Sequence, residues 1–534
     1  MPSSRISFHH PLAFWLGSSA LIIGVLAHFP MFMMASHMHY HMAGMPMDTT
    51  MLVGMALIPA GLLLATYGLM PRMQQMRQTL HGGAPLHFHI ADGIALNREH
   101  WKLVVVLVIA LIVDVMKPAT LGFVMPGMIA EYEISRERAG LLALFALTGT
   151  TVGSLVWGRL ADSFGRRAAI LLSALMFIGT AICGAMPSFE WNLGMCFLMG
   201  ASAGGMLPIA FTLMAEMIPA AHRGWLLVAL GGIGTSAGYL VAAGAATWLE
   251  PVFSWRSLWL LGLPTGALIV FLNRYIPESP RFLANAGLTD QARAVLTQFC
   301  GVIDTNGSQA QAQAPRPMVA RGGLIDLVRG GQGSITWGLL VCGIAWGLAN
   351  FGFLLWLPIN LVGMGMEAGA ASALLARSAV LALPGVAIVI WLYHRWSSIR
   401  TLLLFIALTT IALLAFFAVV TLGVRAQWVI VAATALLLLS TSGVIAMLIP
   451  YAAEIYPVHL RGTGSGAIAA GSKFGGILGA LLGVLGAFSH LAGSALMIAL
   501  PMAISGILLW RSGIETRGRR LEDIELDLAT RHAR

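Results

Sequence analysis

Charged residues are scarce in this chain of 534 residues: Asp, Glu, Lys and Arg together make up 10% of it, against 58% for hydrophobic residues. Soluble domains usually carry about 25% charged residues. A chain with a mean hydropathy of +0.83 has too few polar groups to cover a water-exposed surface. The shortage of charge therefore excludes an ordinary soluble protein and predicts an integral membrane protein.

Cysteine is also rare, and its spacing excludes two further classes. Cys183, Cys196, Cys300 and Cys342 lie in apolar runs or in a central loop, without the spacing of metal ligands. They predict neither a disulfide framework nor a thiolate metal centre. The sequence also offers no pairing of a nucleophile with a general base, so we predict that the protein is not an enzyme.

Basic residues outnumber acidic ones by 31 to 22, which gives a net charge of +9. The basic residues are dispersed at the ends of apolar segments, as membrane orientation requires, and are not gathered into a patch for nucleic acid. Most of them fall on one side of the membrane if both termini are cytoplasmic. We therefore expect a multi-pass protein of the cytoplasmic (inner) membrane that does not bind nucleic acid.

What the chain has in abundance is apolar runs of about 20 residues, the length that spans a bilayer. Fourteen such runs predict an all-α integral membrane protein. The predicted parts are an N-terminal transmembrane hairpin with a linker (1–100), a six-helix bundle (101–276), a cytoplasmic connector (277–334), a second six-helix bundle (335–511) and a cytoplasmic tail (512–534).

An internal repeat links the two bundles. The pattern A-E-x-x-P-x-x-x-R-G begins at Ala215 and again at Ala453, each time after a long apolar run. Two related helical bundles in one chain are typical of membrane transporters.

Three loop motifs carry a resemblance to a known family. The stretch Gly158–Arg167 reads GRLADSFGRR and resembles the signature loop of the major facilitator superfamily. Pro277–Arg281 (PESPR) and the segment from Glu515 to Asp523 are similar to motifs of its sugar-porter and organic-ion-porter branches. The resemblance covers the core from Trp101 to Glu525 and implies two six-helix bundles that work by alternating access, with the N-terminal hairpin as an addition.

The same resemblance implies a cytoplasmic gate of charge-assisted bonds between the bundles. The residues implied are Asp162, Arg166, Glu216, Arg223, Glu278, Arg281, Glu454 and Arg461. The alternative is that these charges form a solvated cytoplasmic surface. The second-half counterpart of the signature loop, His394–Arg400, lacks the glycines and the acid, so the set is expected to be asymmetric.

Ionisable residues deep in apolar runs are costly and therefore candidates for function. Asp114 and Lys117 lie three residues apart in the first core helix, where they are spaced to pair. We predict that they couple transport to protons, with Asp114 as the carboxylate that changes protonation. The alternative is an ion pair with a purely structural purpose.

Candidate substrate-binding residues lie in the second bundle. Lys473 sits well inside a predicted helix, and Arg377 either faces the same cavity or extends to the surface. These cations favour a carboxylate substrate. Asn350 and Trp356 lie in a run that looks like those of proton-coupled porters of aromatic acids and nicotinate. The fifth and seventh core helices contain no glutamine, which disfavours a sugar.

The outer turn of the hairpin is rich in imidazole and thioether groups, which suit copper or zinc. The candidate ligands are His37, His39, His41, Met42 and Met45. The alternative is that these side chains contact lipid headgroups or only reflect a methionine-rich composition. No other cofactor is expected.

The sequence thus predicts a secondary transporter that moves a small organic metabolite, a carboxylate or aromatic acid, together with protons. The alternatives are a non-transporting or copper-linked membrane accessory subunit or sensor, whose hairpin docks a membrane protein partner, and a sugar or drug porter.

Overall fold

A computed structural model of the chain describes residues 10–69, 95–285, 288–300, 327, 333–423, 426–456 and 461–516. Within these residues the secondary structure is helical, and fourteen helical segments are long and apolar enough to cross a membrane. The predicted all-α membrane fold is confirmed, and the fourteen candidate spans are compatible with the predicted additional N-terminal helices.

Nineteen α-helices are described. They are α1 (Pro11–Leu26), α2 (Phe29–Met34), α3 (Thr49–Leu69), α4 (Arg98–Tyr132), α5 (Arg136–Phe164), α6 (Arg166–Gly179), α7 (Phe189–Met217), α8 (Ala220–Phe253), α9 (Ser257–Leu260), α10 (Gly262–Leu272), α11 (Pro280–Asn285), α12 (Thr289–Cys300), α13 (Gly333–Gly347), α14 (Leu355–Gly363), α15 (Ala368–Arg395), α16 (Ser398–Thr421), α17 (Gln427–Ile455), α18 (Arg461–Val484) and α19 (Leu491–Ser512). A π-helical segment, Leu348–Leu354, joins α13 to α14 within one span.

The chain divides into two compact units. Unit 1 comprises residues 1–223, 237–301 and 362–373, and unit 2 comprises residues 224–236, 302–361 and 374–534. Unit 1 therefore takes in a short segment from the second half of the sequence, residues 362–373. Unit 2 has a continuous apolar core to which α13, α16, α17 and α19 contribute.

The hairpin of α1 and α3 packs through glycines. A Cβ at Gly24 would lie 2.7 Å from the Gly54 carbonyl oxygen, and one at Gly61 would lie 2.6 Å from the Gly17 carbonyl oxygen. Small residues allow such backbone approach, which is how membrane helices associate without a hydrophobic driving force between them.

The outer turn of the hairpin, between α2 and α3, is attached to the rest of unit 1 by the carboxylate of Glu131. The backbone N–H groups of Met42 and Ala43 donate to Glu131 Oε1 at 2.7 and 3.1 Å, and Trp255 Nε1 donates to Oε2 at 2.9 Å. Arg256, which is 0% exposed, donates to Glu131 Oε1 from Nη2 at 2.6 Å. Buried charge is tolerated here because each group has its partners.

The connector begins with helices that rest on the first core span. Asn97 caps the N-terminus of α4 through its side chain, which also donates to the Phe299 carbonyl at 2.6 Å. Phe299 at the end of α12 is buried against His100. The hydrophilic connector is therefore partly helical where it is described.

Candidate functional site

The signature loop of unit 1 turns sharply at Gly165, between α5 and α6. Gly165 has φ +102° and ψ 155°, a conformation that is almost restricted to glycine. A Cβ there would also lie 2.6 Å from Cδ of Glu278. The glycine in the motif is therefore required by both the backbone angle and the proximity of a carboxylate.

Glu278, in the PESPR segment, caps the N-terminus of α6. Its Oε1 accepts from Arg166 N at 2.7 Å, and its Oε2 accepts from Arg167 N at 3.2 Å. Free N–H groups and the helix dipole make this end of a helix a binding site for an anion. The two arginines of the motif thus contribute their backbone to Glu278.

The arginine side chains reach other partners in unit 1. Arg166 Nη2 lies 3.3 Å from Glu216 Oε1, and both side chains are mostly buried. Arg167 Nε donates to Asn273 Oδ1 at 3.3 Å. The predicted gate residues Arg166, Glu216 and Glu278 are therefore in one connected network.

Burial raises the pKa of Glu278 to about 7, although the N–H groups of Ser279, Arg166 and Arg167 and the charge of Arg166 oppose the shift. This carboxyl lies outside the membrane spans. It therefore changes protonation in the physiological range, unlike an ordinary glutamate.

Unit 2 contains a repeat-related network in which Glu515 takes the place of Glu278. Its Oε1 accepts from Ser398 N at 3.0 Å and from Ser398 Oγ at 2.6 Å, and the Ser397 hydroxyl donates to Oε2. The carboxylate thus caps α16 as Glu278 caps α6.

Glu454, the counterpart of Glu216, is also surrounded by hydroxyl groups. Thr516 Oγ1 donates to Glu454 Oε2 at 2.6 Å and Tyr393 Oη donates to the same atom at 3.1 Å. Arg395 and Arg400, the basic residues of this loop, are exposed.

The other predicted gate residues divide into two groups. Arg223 Nη2 donates to the Ile218 carbonyl at 3.3 Å, close to its own helix start. The side chains of Asp162, Arg281 and Arg461 lie outside the described part of the structure. Sequence reasoning missed the four hydroxyl residues Tyr393, Ser397, Ser398 and Thr516.

Asp114 and Lys117 do not form the pair that their spacing suggested. Both are buried in α4, but Lys117 Nζ has no hydrogen-bond acceptor among the described residues and lies 4.6 Å from the centroid of the Phe177 ring. Neighbouring positions on a helix can still point to different helices, because long side chains follow the available packing. The Lys117 ammonium group therefore packs against an aromatic ring of unit 1.

The four candidate substrate residues all belong to unit 2. Asn350 lies in the π-helical segment and Trp356 is 3% exposed at the start of α14. The π-helical segment packs closely on α18, which carries Lys473: a Cβ at Gly479 would lie 3.0 Å from Gly352 N. Arg377 is exposed.

Trp356 has an indole N–H that is buried and has no acceptor within the described residues. Its ring lies 6.1 Å from that of Phe488. By contrast, the indole N–H of Trp346 donates to the Thr441 carbonyl at 2.9 Å. A π-helical segment is often associated with function, and here it stands between these two tryptophans.

The five candidate metal ligands lie on the outer turn. His37, His39 and His41 are exposed, whereas Met42 is buried and Met45 packs in a small apolar cluster. Across the described ranges, no three His, Cys, Asp or Glu side chains are grouped as metal ligands would be.

Comparison with known proteins gives a family match over most of the chain. The family model described as Major Facilitator Superfamily matches residues 105–480. The niacin transporter NiaP of Acinetobacter baylyi is 26% identical over 443 residues, which cover 82% of this chain and 98% of the relative. The 4-hydroxybenzoate transporter PcaK of Pseudomonas putida is 28% identical over 433 residues, covering 78% and 93%.

Among solved structures, the xylose transporter XylE of E. coli in a partially occluded inward-open conformation has a TM-score of 0.64. The likeness covers 79% of this chain and all of XylE at 15% sequence identity. At that identity it supports the fold alone.

Proposed function

Because the chain belongs to the Major Facilitator Superfamily, we propose that it is a secondary transporter of a small aromatic or other organic carboxylate, coupled to protons by alternating access. The observation that carries the proposal is similarity along nearly the full length of two transporters, NiaP for niacin and PcaK for 4-hydroxybenzoate. Both substrates are aromatic rings with one carboxylate. We assign no enzymatic step to the chain.

Three features of unit 2 suit such a substrate. Lys473 supplies a cation for the carboxylate, and Trp356 supplies both an aromatic face and an indole N–H that needs an acceptor. Asn350, in the adjoining π-helical segment, adds an amide. Arg377 is exposed, and the only contribution we assign to it is attraction of the substrate anion at the protein surface.

Uptake by reconstituted protein tests this proposal. Labelled nicotinate and 4-hydroxybenzoate should be taken up, and nicotinamide should compete poorly because it lacks the charge. Lys473→Met should raise KM by about tenfold or more, the effect of losing one charge-assisted hydrogen bond. Lys102→Met is the matched control, since Lys102 is half exposed and pairs with Glu99. Equal competition by the amide, or an unchanged KM in Lys473→Met, would contradict the anion site.

The two tryptophans offer a second matched pair. Trp356→Phe should raise KM by several-fold, because it removes a donor that the substrate would satisfy. Trp346→Phe should lower stability and leave KM nearly unchanged, since its N–H already has the Thr441 carbonyl as acceptor. The reverse pattern would place the substrate elsewhere.

We further propose that Asp114, with Lys117, couples transport to protons. Buried ionisable groups in a transport protein are expected on proton pathways. Asp114→Asn should abolish accumulation driven by a pH gradient while exchange of substrate across the membrane continues. Unchanged accumulation would remove Asp114 from the mechanism.

The remaining proposals concern orientation and the hairpin. We place both termini in the cytoplasm of an inner-membrane protein, because most basic residues then lie inside. A copper or zinc ion on the outer turn would need His37, His39 and His41 to converge from their exposed positions. Replacing all three should remove bound metal from the purified protein, and a metal content that does not change would refute that proposal, as would no bound metal at all.

A further inference from the structure

Glu250 is a half-buried acid that the sequence motifs do not point to. It lies near the end of α8, at the opposite end from Arg223 and the cytoplasmic loops. Its Oε2 atom is buried and has no hydrogen-bond partner among the described residues. The Ser372 hydroxyl lies close enough to act on the carboxyl group. A carboxylate oxygen without a donor is costly to bury, whereas a protonated carboxyl is much less so.

The contact around Glu250 lies within unit 1. Pro251, the next residue, would be 3.6 Å from a Cβ at Gly369, and Ser372 is 2% exposed in the same turn of α15. Residues 362–373 come from the second half of the sequence but belong to unit 1. Closing this contact therefore buries the carboxyl of Glu250 between α8 and the start of α15.

The charged groups nearby do not neutralise Glu250. On its own chain segment Arg256 is bonded to Glu131. On the facing segment, Glu367 precedes α15 and Arg377 follows in it, and Arg136 of α5 contacts the facing segment at Gly363. Among the described residues, none of these charged groups forms an ion pair with Glu250.

We propose that Glu250 is a proton-binding site at the extracytoplasmic end of α8, and that its protonation stabilises the closed contact with residues 368–372. The proton comes from water, adds to the carboxylate and neutralises it as the contact closes. When the contact opens, water hydrates the carboxylate and the proton leaves. In a proton-coupled transporter, this links proton binding outside to closure of that end, so the proposal rests on the proposed function.

Disulfide trapping tests the proposal without a substrate. Pro251→Cys and Gly369→Cys place one thiol on each side of the contact. A protease site inserted in the connector allows the chain to be cut into two fragments, which stay joined only if a disulfide has formed between the two cysteines. Glu250→Gln, made in the same double-cysteine protein, imitates the protonated acid. Because both proteins carry the same two cysteines, the pH dependence of thiol oxidation cancels when their trapping rates are compared. The quantity measured is the ratio of trapping rates, Glu250→Gln over parent, at each pH.

We expect this ratio to be near one at low pH, where the parent carboxyl holds its proton, and to rise several-fold at high pH, where that carboxyl ionises. Ser372→Ala should move the rise to higher pH, because the hydroxyl donates to the charged form. It also provides the test if Glu250→Gln fails to fold. Glu190→Gln, an exposed acid paired with Arg138, should leave trapping unchanged at every pH.

A ratio that stays constant with pH would overturn the proton site. This outcome is distinguishable from failure of the proposed function, because trapping needs no substrate. Loss of aromatic-acid uptake with a pH-dependent ratio would refute only the substrate assignment.

Discussion

The loops before α6 and α16 each bind a carboxylate at a helix N-terminus, but the side chains around that carboxylate differ. In unit 1, Glu278 accepts from two backbone N–H groups, and Arg166 lies beside Glu216. In unit 2, Glu515 accepts from a backbone N–H and from serine hydroxyls. Among the described residues, the first network includes guanidinium groups and the second includes hydroxyl groups, while Arg395 and Arg400 are exposed.

The comparison indicates which part of the repeated motif the fold requires. A carboxylate at the N-terminus of a helix satisfies free N–H groups and the helix dipole in both units. Neutral hydroxyl donors can also stabilise a carboxylate. In unit 1 the backbone of Arg166 binds the capping carboxylate of Glu278, while its side chain reaches Glu216.

The largest expected effect comes from Gly165→Ala, which places a side chain in the sharp turn between α5 and α6 of unit 1. A side chain at φ +102° and ψ 155° is strained, and its Cβ would overlap Glu278. We expect a loss of roughly 3 kcal/mol or more in the free energy of unfolding. Thermal unfolding of purified protein measures this change.

The same loops supply two controls for Gly165→Ala. Gly158→Ala, in the same motif, should be neutral or slightly stabilising, because a Cβ there meets nothing within 4 Å. Ser397 in unit 2 has an extended backbone with φ −166°. Ser397→Ala should therefore cost only its hydrogen bonds, about 1–2 kcal/mol. Equal losses at Gly165 and Ser397 would mean that the turn itself is unimportant.

The next effect is a pH dependence contributed by Glu278. Its pKa rises from 4.5 to about 7 on folding because the carboxyl is buried. Between these values the folded protein holds a proton that the unfolded chain has lost, so stability falls as pH rises and then levels off above about pH 7. The contribution is roughly 3 kcal/mol. Thermal unfolding across this range should show it.

Glu278→Gln should flatten that part of the stability profile, because an amide does not titrate. Glu190→Gln is the appropriate control, since Glu190 is 65% exposed on its side chain and distant from the loop. A wild-type slope that survives in Glu278→Gln would assign the pH dependence to other groups.

Much of the fold was accessible from the sequence because membrane insertion imposes a simple length rule. Fourteen apolar runs predicted fourteen spans, and all fourteen are helical. The glycine of the signature loop was equally predictable as a turn, since Gly165 adopts a conformation that other residues rarely enter. The π-helical segment Leu348–Leu354 was not predictable, because its backbone follows from packing against α18 and not from composition.

The site was only partly predictable, and for a physical reason. The sequence, through the resemblance of its loop motifs to a known family, indicated Arg166, Glu216 and Glu278, which the structure joins in one network. It could not show that Lys117 turns toward Phe177 instead of Asp114, since side-chain direction depends on neighbouring helices. It also passed over Glu250 and the serines of unit 2, which belong to no charged motif and matter only through what they contact.

The smallest expected effect compares one contact in each network through double-mutant cycles. We expect Arg166→Gln with Glu216→Gln to give a coupling energy of about 2 kcal/mol, since the pair is charged and mostly buried. Tyr393→Phe with Glu454→Gln should give about 1 kcal/mol, because a neutral hydroxyl makes one hydrogen bond at 3.1 Å and Thr516 remains.

The two coupling energies should also differ in their dependence on salt concentration. Raising the salt concentration should weaken the Arg166–Glu216 coupling and leave the Tyr393–Glu454 coupling nearly unchanged, because ions screen a pair of opposite charges more than a contact with a neutral donor. Tyr67→Phe, at an exposed tyrosine of the hairpin, controls for loss of a hydroxyl. Equal couplings with equal salt dependence would mean that the arginine of unit 1 acts only as a hydrogen-bond donor, and the gate would then lose its electrostatic basis.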